Sequence, residues 1–353
     1  MESATEQELR QRIENLEKEK RDLQEWQKQM NQLCMQMMDL LEQQKADLDE
    51  KSGRLEELWR FESINRWRID SLPYELQDPD YVSDVFKPHI LSAAETRKEI
   101  IHGHKSIARL GDGEFAAIAG MQRWNFQGVS DTLSQRLREV LQEETEGLLV
   151  GLNPTFYMNL ADVPELEADG VRAYMRPQVR RQHAALLDRN RQYANALFHN
   201  IYSEKDVNEL REIWKDRDCI LIEGEHTGSG VGNDLFEGCA SLGRILCPAE
   251  NAFDHYERIL QAAAEQPKDR LMLLALGPTA TVLAYDLCRF GYQAVDIGHM
   301  DLIYEKYRSG LSDLYQVKIP YKYCSADERI RGREIPEIEE PEYLAQVIER
   351  IAE

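Results

Sequence analysis

Apolar side chains follow two different rhythms along this chain. Over roughly the first sixty residues they recur at alternating intervals of three and four, and afterwards they gather into short runs broken by glycine, proline and acidic residues. From Glu6 to Leu58 there is no proline, and the only glycine is Gly53. A heptad fits this stretch without a break, with Leu9, Leu16, Leu23, Met30, Met37, Gln44, Lys51 and Leu58 at d. Ile13, Lys20, Gln27, Cys34, Leu41, Leu48 and Leu55 occupy a, so eleven of the fifteen sites are apolar. That pattern predicts a coiled coil over residues 1–60, a helix about 80 Å long. The polar sites Lys20, Gln27, Gln44 and Lys51 weaken the seam but can set its register. A stripe this narrow on so long a helix implies self-association or a helical partner through residues 6–58. The alternative is a helix folded back on its own chain.

An aromatic linker spans residues 61–90, and Leu72-Pro73-Tyr74 is expected to end the helix. Beyond it, short β-rich runs alternate with helical patterns. The runs are Ser106–Leu110, Leu148–Leu152, Cys219–Ile222, Arg244–Cys247, Leu271–Leu276 and Ala294–Ile297. Helices are predicted at Thr132–Glu144, Arg180–Ile201, Asp206–Trp214, Asn251–Ala263 and Thr279–Phe290. The alternation predicts an α/β domain over residues 91–330, a mainly parallel Rossmann-like sheet with helices on both faces. Residues 331–353 read as an acidic tail with a short helix after Pro341.

Charge narrows the partners. With 43 Lys and Arg against 64 Asp and Glu, the net charge is -21. Such a field repels nucleic acid, so a phosphate-bearing ligand needs a local site or a metal. The six cysteines contain no C-x-x-C pair, which favours reduced thiols over disulfides or zinc. The first residues lack the pattern of a secretion signal, and no apolar run approaches a membrane span of roughly 20 residues. A cytoplasmic location is expected.

In parallel sheets ligands bind beyond the carboxyl ends of the strands, so the residues that follow each run carry the chemistry. Arg109-Leu110-Gly111-Asp112-Gly113-Glu114 places two carboxylates at i and i+2. In a loop they can share a hard cation, Mg2+ or Mn2+, with Gly111 and Gly113 leaving room for a phosphate and Arg109 in position to clamp one. The same residues also suit an acid-capped helix start. Gly228-x-Gly230-x-Gly232 precedes a helix expected near Asn233 and Asp234. It is either a phosphate cradle or a plain loop. Gly277-Pro278-Thr279 suits either a helix cap or a phosphate contact. Among Asp296, His299 and Asp301, and at Glu225, lie the candidates for a catalytic base, with a strand-end hydrogen-bond network as the alternative.

Five segments, taken together, resemble the GT-D-fold bacterial glycosyltransferases over about residues 95–325. They are Arg109 to Glu114, Gly232-Asn233-Asp234-Leu235-Phe236, Cys247-Pro248-Ala249-Glu250-Asn251-Ala252-Phe253, Leu276-Gly277-Pro278-Thr279-Ala280-Thr281 and Asp296-Ile297-Gly298-His299-Met300-Asp301. The resemblance implies a sheet of the GT-D type and a metal on Asp112 and Glu114. It implies a UDP-sugar, with glucose as the sugar, as donor to a glycan or glycoconjugate acceptor. It implies donor contacts from Arg109, Gly111, Gly113, Gly232, Asn233, Asp234, Gly277, Thr279 and Asp296. Asp301 is the first choice of base, with Glu225 and His299 behind it. A basic residue expected after Glu225-His226-Thr227 is replaced by Gly228-Ser229, which leaves a diphosphate contact to another residue. A nucleotide-sugar hydrolase or a non-catalytic binding subunit would share much of this pattern.

Overall fold

The computed structural model describes residues 4–77, 86–121, 127–311, 314, 317 and 337–351. The chain divides into two compact units, Met1–Asp70 and Ser71–Glu353. The first unit consists of helix α1, Ala4–Glu75, which runs on into the second. No described helix is long and apolar enough to cross a membrane. Pro73 lies inside α1, so the helix outlasts its expected end. A proline in a final turn removes only one hydrogen bond. Here Leu76 N–H still reaches Leu72 O at 3.0 Å, and Arg172 Nε ties down Glu75 at 2.8 Å. Eight residues of the linker, 78–85, lie outside the described residues.

The described residues of the second unit form a nine-stranded sheet with helices on both faces. Its strands are β1 (His89–Ile90), β2 (Ser106–Leu110), β3 (Leu148–Leu152), β4 (Gln192–Asn195), β5 (Asp218–Gly224), β6 (Ser241–Cys247), β7 (Leu271–Ala275), β8 (Ala294–Asp296) and β9 (Val347–Arg350). They lie in the order β1-β4-β3-β2-β8-β7-β5-β6-β9, and every pairing is parallel. The helices among the described residues are α2 (Ala93–His102), α3 (Asp112–Ile118), α4 (Asp131–Gln142), α5 (Glu165–Tyr174), α6 (Pro177–Ala184), α7 (Glu204–Arg211), α8 (Tyr256–Ala264), α9 (Pro278–Arg289), α10 (Met300–Arg308) and α11 (Pro341–Gln346).

Strand residues alternate between two apolar layers, as the pleat requires. Ile220, Ile222, Met272 and Leu274 enter one core, with α4, α8 and α9 over it. Cys219, Leu221, Leu271 and Leu273 enter the other, beneath α2, α7 and α10. Each fully buried leucine or isoleucine contributes about 1.5–3 kcal/mol relative to exposure. Local signals start the helices: Ser92 caps α2 with a reciprocal bond to Glu95, and the hydroxyls of Ser130 and Ser203 cap α4 and α7.

Two readings of the sequence change here. The helix expected over Arg180–Ile201 is instead the end of α6 followed by strand β4. Asp188 breaks it, its Oδ1 accepting Asn190 N–H at 2.8 Å, while Tyr193 is wholly buried in the sheet. Polar residues around Tyr193 mimic a helical period, and the turn overrides it. The acidic tail also contributes more than a short helix. Its residues 347–350 form β9 beside β6, while 331–336 lie outside the described residues. Arg244 on β6 explains the attachment. It pairs with the fully buried Glu223, donates from Nε to Gln346 Oε1 at 2.7 Å, and lies 4.8 Å from the Tyr343 ring centre.

Candidate functional site

A cavity of about 360 Å³ opens on the carboxyl edge of the sheet, lined by residues that follow β2 through β8. The chain leaves β5 toward β6 and leaves β7 in the opposite direction toward β8. The crevice between β5 and β7 is therefore a topological switch point, where open parallel sheets bind ligands.

The carboxylate motif sits on its wall as the first turn of α3. Gly111 is extended (φ −104°) at the N-cap. Glu114 turns back so that its Oε2 accepts Gly111 N–H at 2.7 Å. The expected loop is thus a helix start, because an acid at the third helical position satisfies an orphan N–H. Both features coexist, since Asp112, Gly113 and Glu114 all line the cavity. Burial pushes the Glu114 carboxyl up to about 7; the Gly111 N–H opposes this, while the charges of Asp296 and Asp112 add to it. Three carboxylates thus crowd one wall, and a cation would relieve them.

Among the described residues no group of three or more His, Cys, Asp or Glu is arranged to hold a metal. The donor chemistry nonetheless fits a hard cation, since Mg2+ and Mn2+ take one or two carboxylates and complete their shells with substrate phosphates and water.

Arg109 is the only Arg or Lys lining the cavity among the described residues. Its Nη1 donates to Ala196 O at 3.1 Å and meets His199 Nδ1 at 2.8 Å, while Nε lies 3.3 Å from Asp296 Oδ1. Thr281 Oγ1 donates to Arg109 O at 2.8 Å, fixing the end of β2. Asp296 is buried, which raises its carboxyl above the usual range, although Arg109 opposes that shift. Burial, and then the Arg109 charge, drive the His199 imidazole well below its ordinary value, so it stays neutral beside the guanidinium. Gly298, at φ +48°, passes directly over the arginine: a Cβ there would lie 1.9 Å from Nη2.

The other sequence candidates divide. Gly277 and His299 line the cavity, with His299 exposed at the start of α10. Thr279 is fully buried behind the wall, its hydroxyl 3.3 Å from Gln127 Oε1. Gly232, Asn233 and Asp234 line a separate concavity of about 700 Å³. No helix begins at Asn233, where the chain makes successive turns up to β6. Gly230 (φ +77°) is needed there, since a Cβ would strike the Phe236 ring at 2.5 Å. Asn233 Oδ1 closes a turn with Leu235 N–H at 3.0 Å. Asp234 accepts the Tyr304 hydroxyl at 2.6 Å and pairs with Arg211 at 2.8 Å.

Asp301 does not line the cavity either. It is buried, and its Oδ1 accepts Gly230 N–H and Asn233 Nδ2, both at 2.8 Å. Its carboxylate staples the glycine-rich loop to α10. Glu225 is an exposed side chain, 3.9 Å from His226 and off the cavity wall. Lining residues not singled out from the sequence include His199, Gln127, Ala196 and Leu197. His199 follows β4, and recognising that strand would have brought it forward with the other strand ends.

Comparison with known proteins agrees with this geometry. The family model described as Glycosyltransferase GT-D fold matches residues 107–327. The probable glycosyl transferase Gly of Streptococcus gordonii is 33% identical over 277 residues, covering 75% of this chain and 39% of that protein. Glycosyltransferase GlyD of Streptococcus pneumoniae serotype 4 is 32% identical over 278 residues, covering 73% and 32% respectively. The chain thus spans well under half the length of these two relatives. A solved structure described as domain of unknown function 1792 with a distinct glycosyltransferase fold has a TM-score of 0.68 at 32% identity, covering 75% of this chain and 96% of its own. A glycosyltransferase of that domain type from Streptococcus sanguinis has a TM-score of 0.67 at 32% identity, covering 75% of this chain and all of its own. With the family model matching residues 107–327 and solved structures of that fold at 32% identity, the chain belongs to the glycosyltransferases of the GT-D fold.

Proposed function

We propose that the chain transfers a hexose, with glucose the first choice, from a UDP-sugar to a glycan or glycoconjugate acceptor, using Mn2+ or Mg2+. One observation carries this reading: the carboxylates of Asp112 and Glu114 share a single cavity wall with Arg109 at the carboxyl edge of the sheet. Transfer breaks the bond between the anomeric carbon and the diphosphate oxygen, which keeps the electron pair. The acceptor oxygen bonds to that carbon and gives up its proton. Negative charge therefore grows on the leaving diphosphate, and stabilising it is the main task of the site.

Arg109, held by Asp296 and His199, presents a fixed positive charge for that purpose. A cation on Asp112 and Glu114 would supply further neutralisation of the diphosphate. The wall also offers a proton acceptor. Of the three base candidates only His299 lines the cavity, so it takes the acceptor proton in this proposal.

The test is UDP release from a panel of UDP-sugars, with and without Mn2+, by the intact chain, Asp112→Ala and Glu114→Ala. Metal-dependent release with one sugar, reduced on the order of 10²–10⁴-fold by either substitution, is expected. Release with full accumulation of free sugar and no need of acceptor would make the protein a hydrolase instead. Metal-dependent UDP binding with no release from any sugar, acceptor supplied, would make it a binding subunit.

A further inference from the structure

Helix α1 exposes an apolar seam whose neighbouring charges discriminate between ways of covering it. Leu16, Leu23, Leu41, Leu48 and Leu55 are between 58% and 69% exposed. They fall at the a and d sites of one unbroken heptad, a geometry that is buried by another helix of the same period. We propose that a second copy of this chain covers the seam, as a two-stranded coiled coil that is parallel and in register.

The choice of occupant and direction rests on charge. In a parallel pair each g residue meets the e residue five places on in the other helix. Arg12 then lies beside Glu17 of the second copy, while Glu19 meets Gln24 and Asp47 meets Ser52, so that no like charges oppose at these flanking contacts; the core lysines Lys20 and Lys51 face lysine in the parallel and the antiparallel register alike. The centre is apolar at the flank as well, with Leu33 against Met38.

The antiparallel register that best hides the polar core sites sets Lys20 opposite Lys51 and Gln27 opposite Gln44. That register brings g against g. Arg12 then faces Arg54, and Glu19 faces Asp47, each contact occurring twice. Repulsion replaces attraction, so the parallel pair is favoured. A second copy supplies the Arg12–Glu17 match from this sequence itself, twice per pair.

Cys34 provides the readout, because it is the only cysteine at a core site of the heptad. The parallel arrangement puts both Cys34 thiols in one layer, whereas the antiparallel one sets each against Met37. Oxidation by a diazene removes two electrons and two protons from the thiol pair, forms one S–S bond and leaves the hydrazine. The experiment uses the full chain and measures native mass together with diamide cross-linking. The expected results are twice the 41.0 kDa chain mass and a reducible covalent dimer that disappears in Cys34→Ser. In that Cys34→Ser background, Ile13→Cys should restore the covalent dimer, since Ile13 meets itself only in the parallel register. Leu41→Lys should return the native mass to that of one chain. A single-chain mass for the unaltered protein, a mass above two chains, or failure of Ile13→Cys to link would each overturn the proposal.

Discussion

Substituting Gly298 by alanine tests how Arg109 is held on the cavity wall. The residue stands at φ +48°, where an alanine costs about 1–2 kcal/mol in backbone strain. The added methyl would lie 1.9 Å from Arg109 Nη2 and 2.9 Å from Cζ, so the guanidinium must move. It cannot swing away freely, being tied to Ala196 O, His199 and Asp296. Losing even one such charge-assisted contact costs about 1.5–3 kcal/mol. The total for Gly298→Ala is therefore about 2.5–5 kcal/mol, of which about 1.5–3 kcal/mol belongs to the clash and not to the backbone. A double-mutant cycle separates the two. Urea unfolding of the unaltered chain, Gly298→Ala, Arg109→Ala and the double variant yields the coupling directly, because without the arginine the methyl has room. A coupling energy of about 1.5–3 kcal/mol is expected. Costs that add to within about 0.5 kcal/mol would show that the glycine serves only its own backbone, and would refute the reasoning.

Two further predictions follow from the same geometry. Asp301→Ala should lower stability by about 2–4 kcal/mol through loss of its bonds to Gly230 and Asn233, and catalysis measured on the folded fraction should survive; unchanged stability with turnover abolished would restore Asp301 as the base. His183, stacked 3.9 Å from the Phe115 ring centre, is held neutral by burial, its value brought down to about 4. Because the folded value lies below the unfolded one, its contribution is intact above about pH 6.5 and is lost as the unfolded chain takes up a proton at lower pH. Between about pH 7 and pH 5 the natural chain should lose on the order of 2 kcal/mol relative to His183→Phe, which keeps the stack without the titration. A pH-independent difference between the two unfolding curves would count against it.

Much of the architecture is legible in the residues. Ser106–Leu110 and Leu148–Leu152 form strands over those spans, because a strand buried on both faces is a short apolar run with turn residues at each end. The end of β2 likewise announces the carboxylate wall. Where the reading diverges, one local signal carries two meanings. Gln192–Asn195 is too short and too polar to look like a strand, and it is recruited by its neighbour β3 through pairing that local pattern does not encode. With β4 missing, His199 could not be seen as a strand-end residue. Asp301 and Thr279 fail as cavity residues for another reason. A side chain one or two positions inside a helix start points back into the fold as readily as out of it, and only packing decides. The glycines of 228–232 shape a turn against Phe236, an interaction that spacing alone cannot distinguish from a phosphate cradle.

The placement of β9 has a consequence for how the molecule is made. It reaches the edge of the sheet from far along the chain, with Gln346 meeting Arg244 across 102 residues. Closing a loop of that size yields nothing until its ends meet, so this strand should be among the last to arrive. Until it docks, β6 offers a row of unpaired backbone groups to any neighbouring chain. The yield of folded protein would then be governed by crowding of half-finished molecules during synthesis, and slow, cool expression should recover material that a measurement of final stability would never show to be at risk.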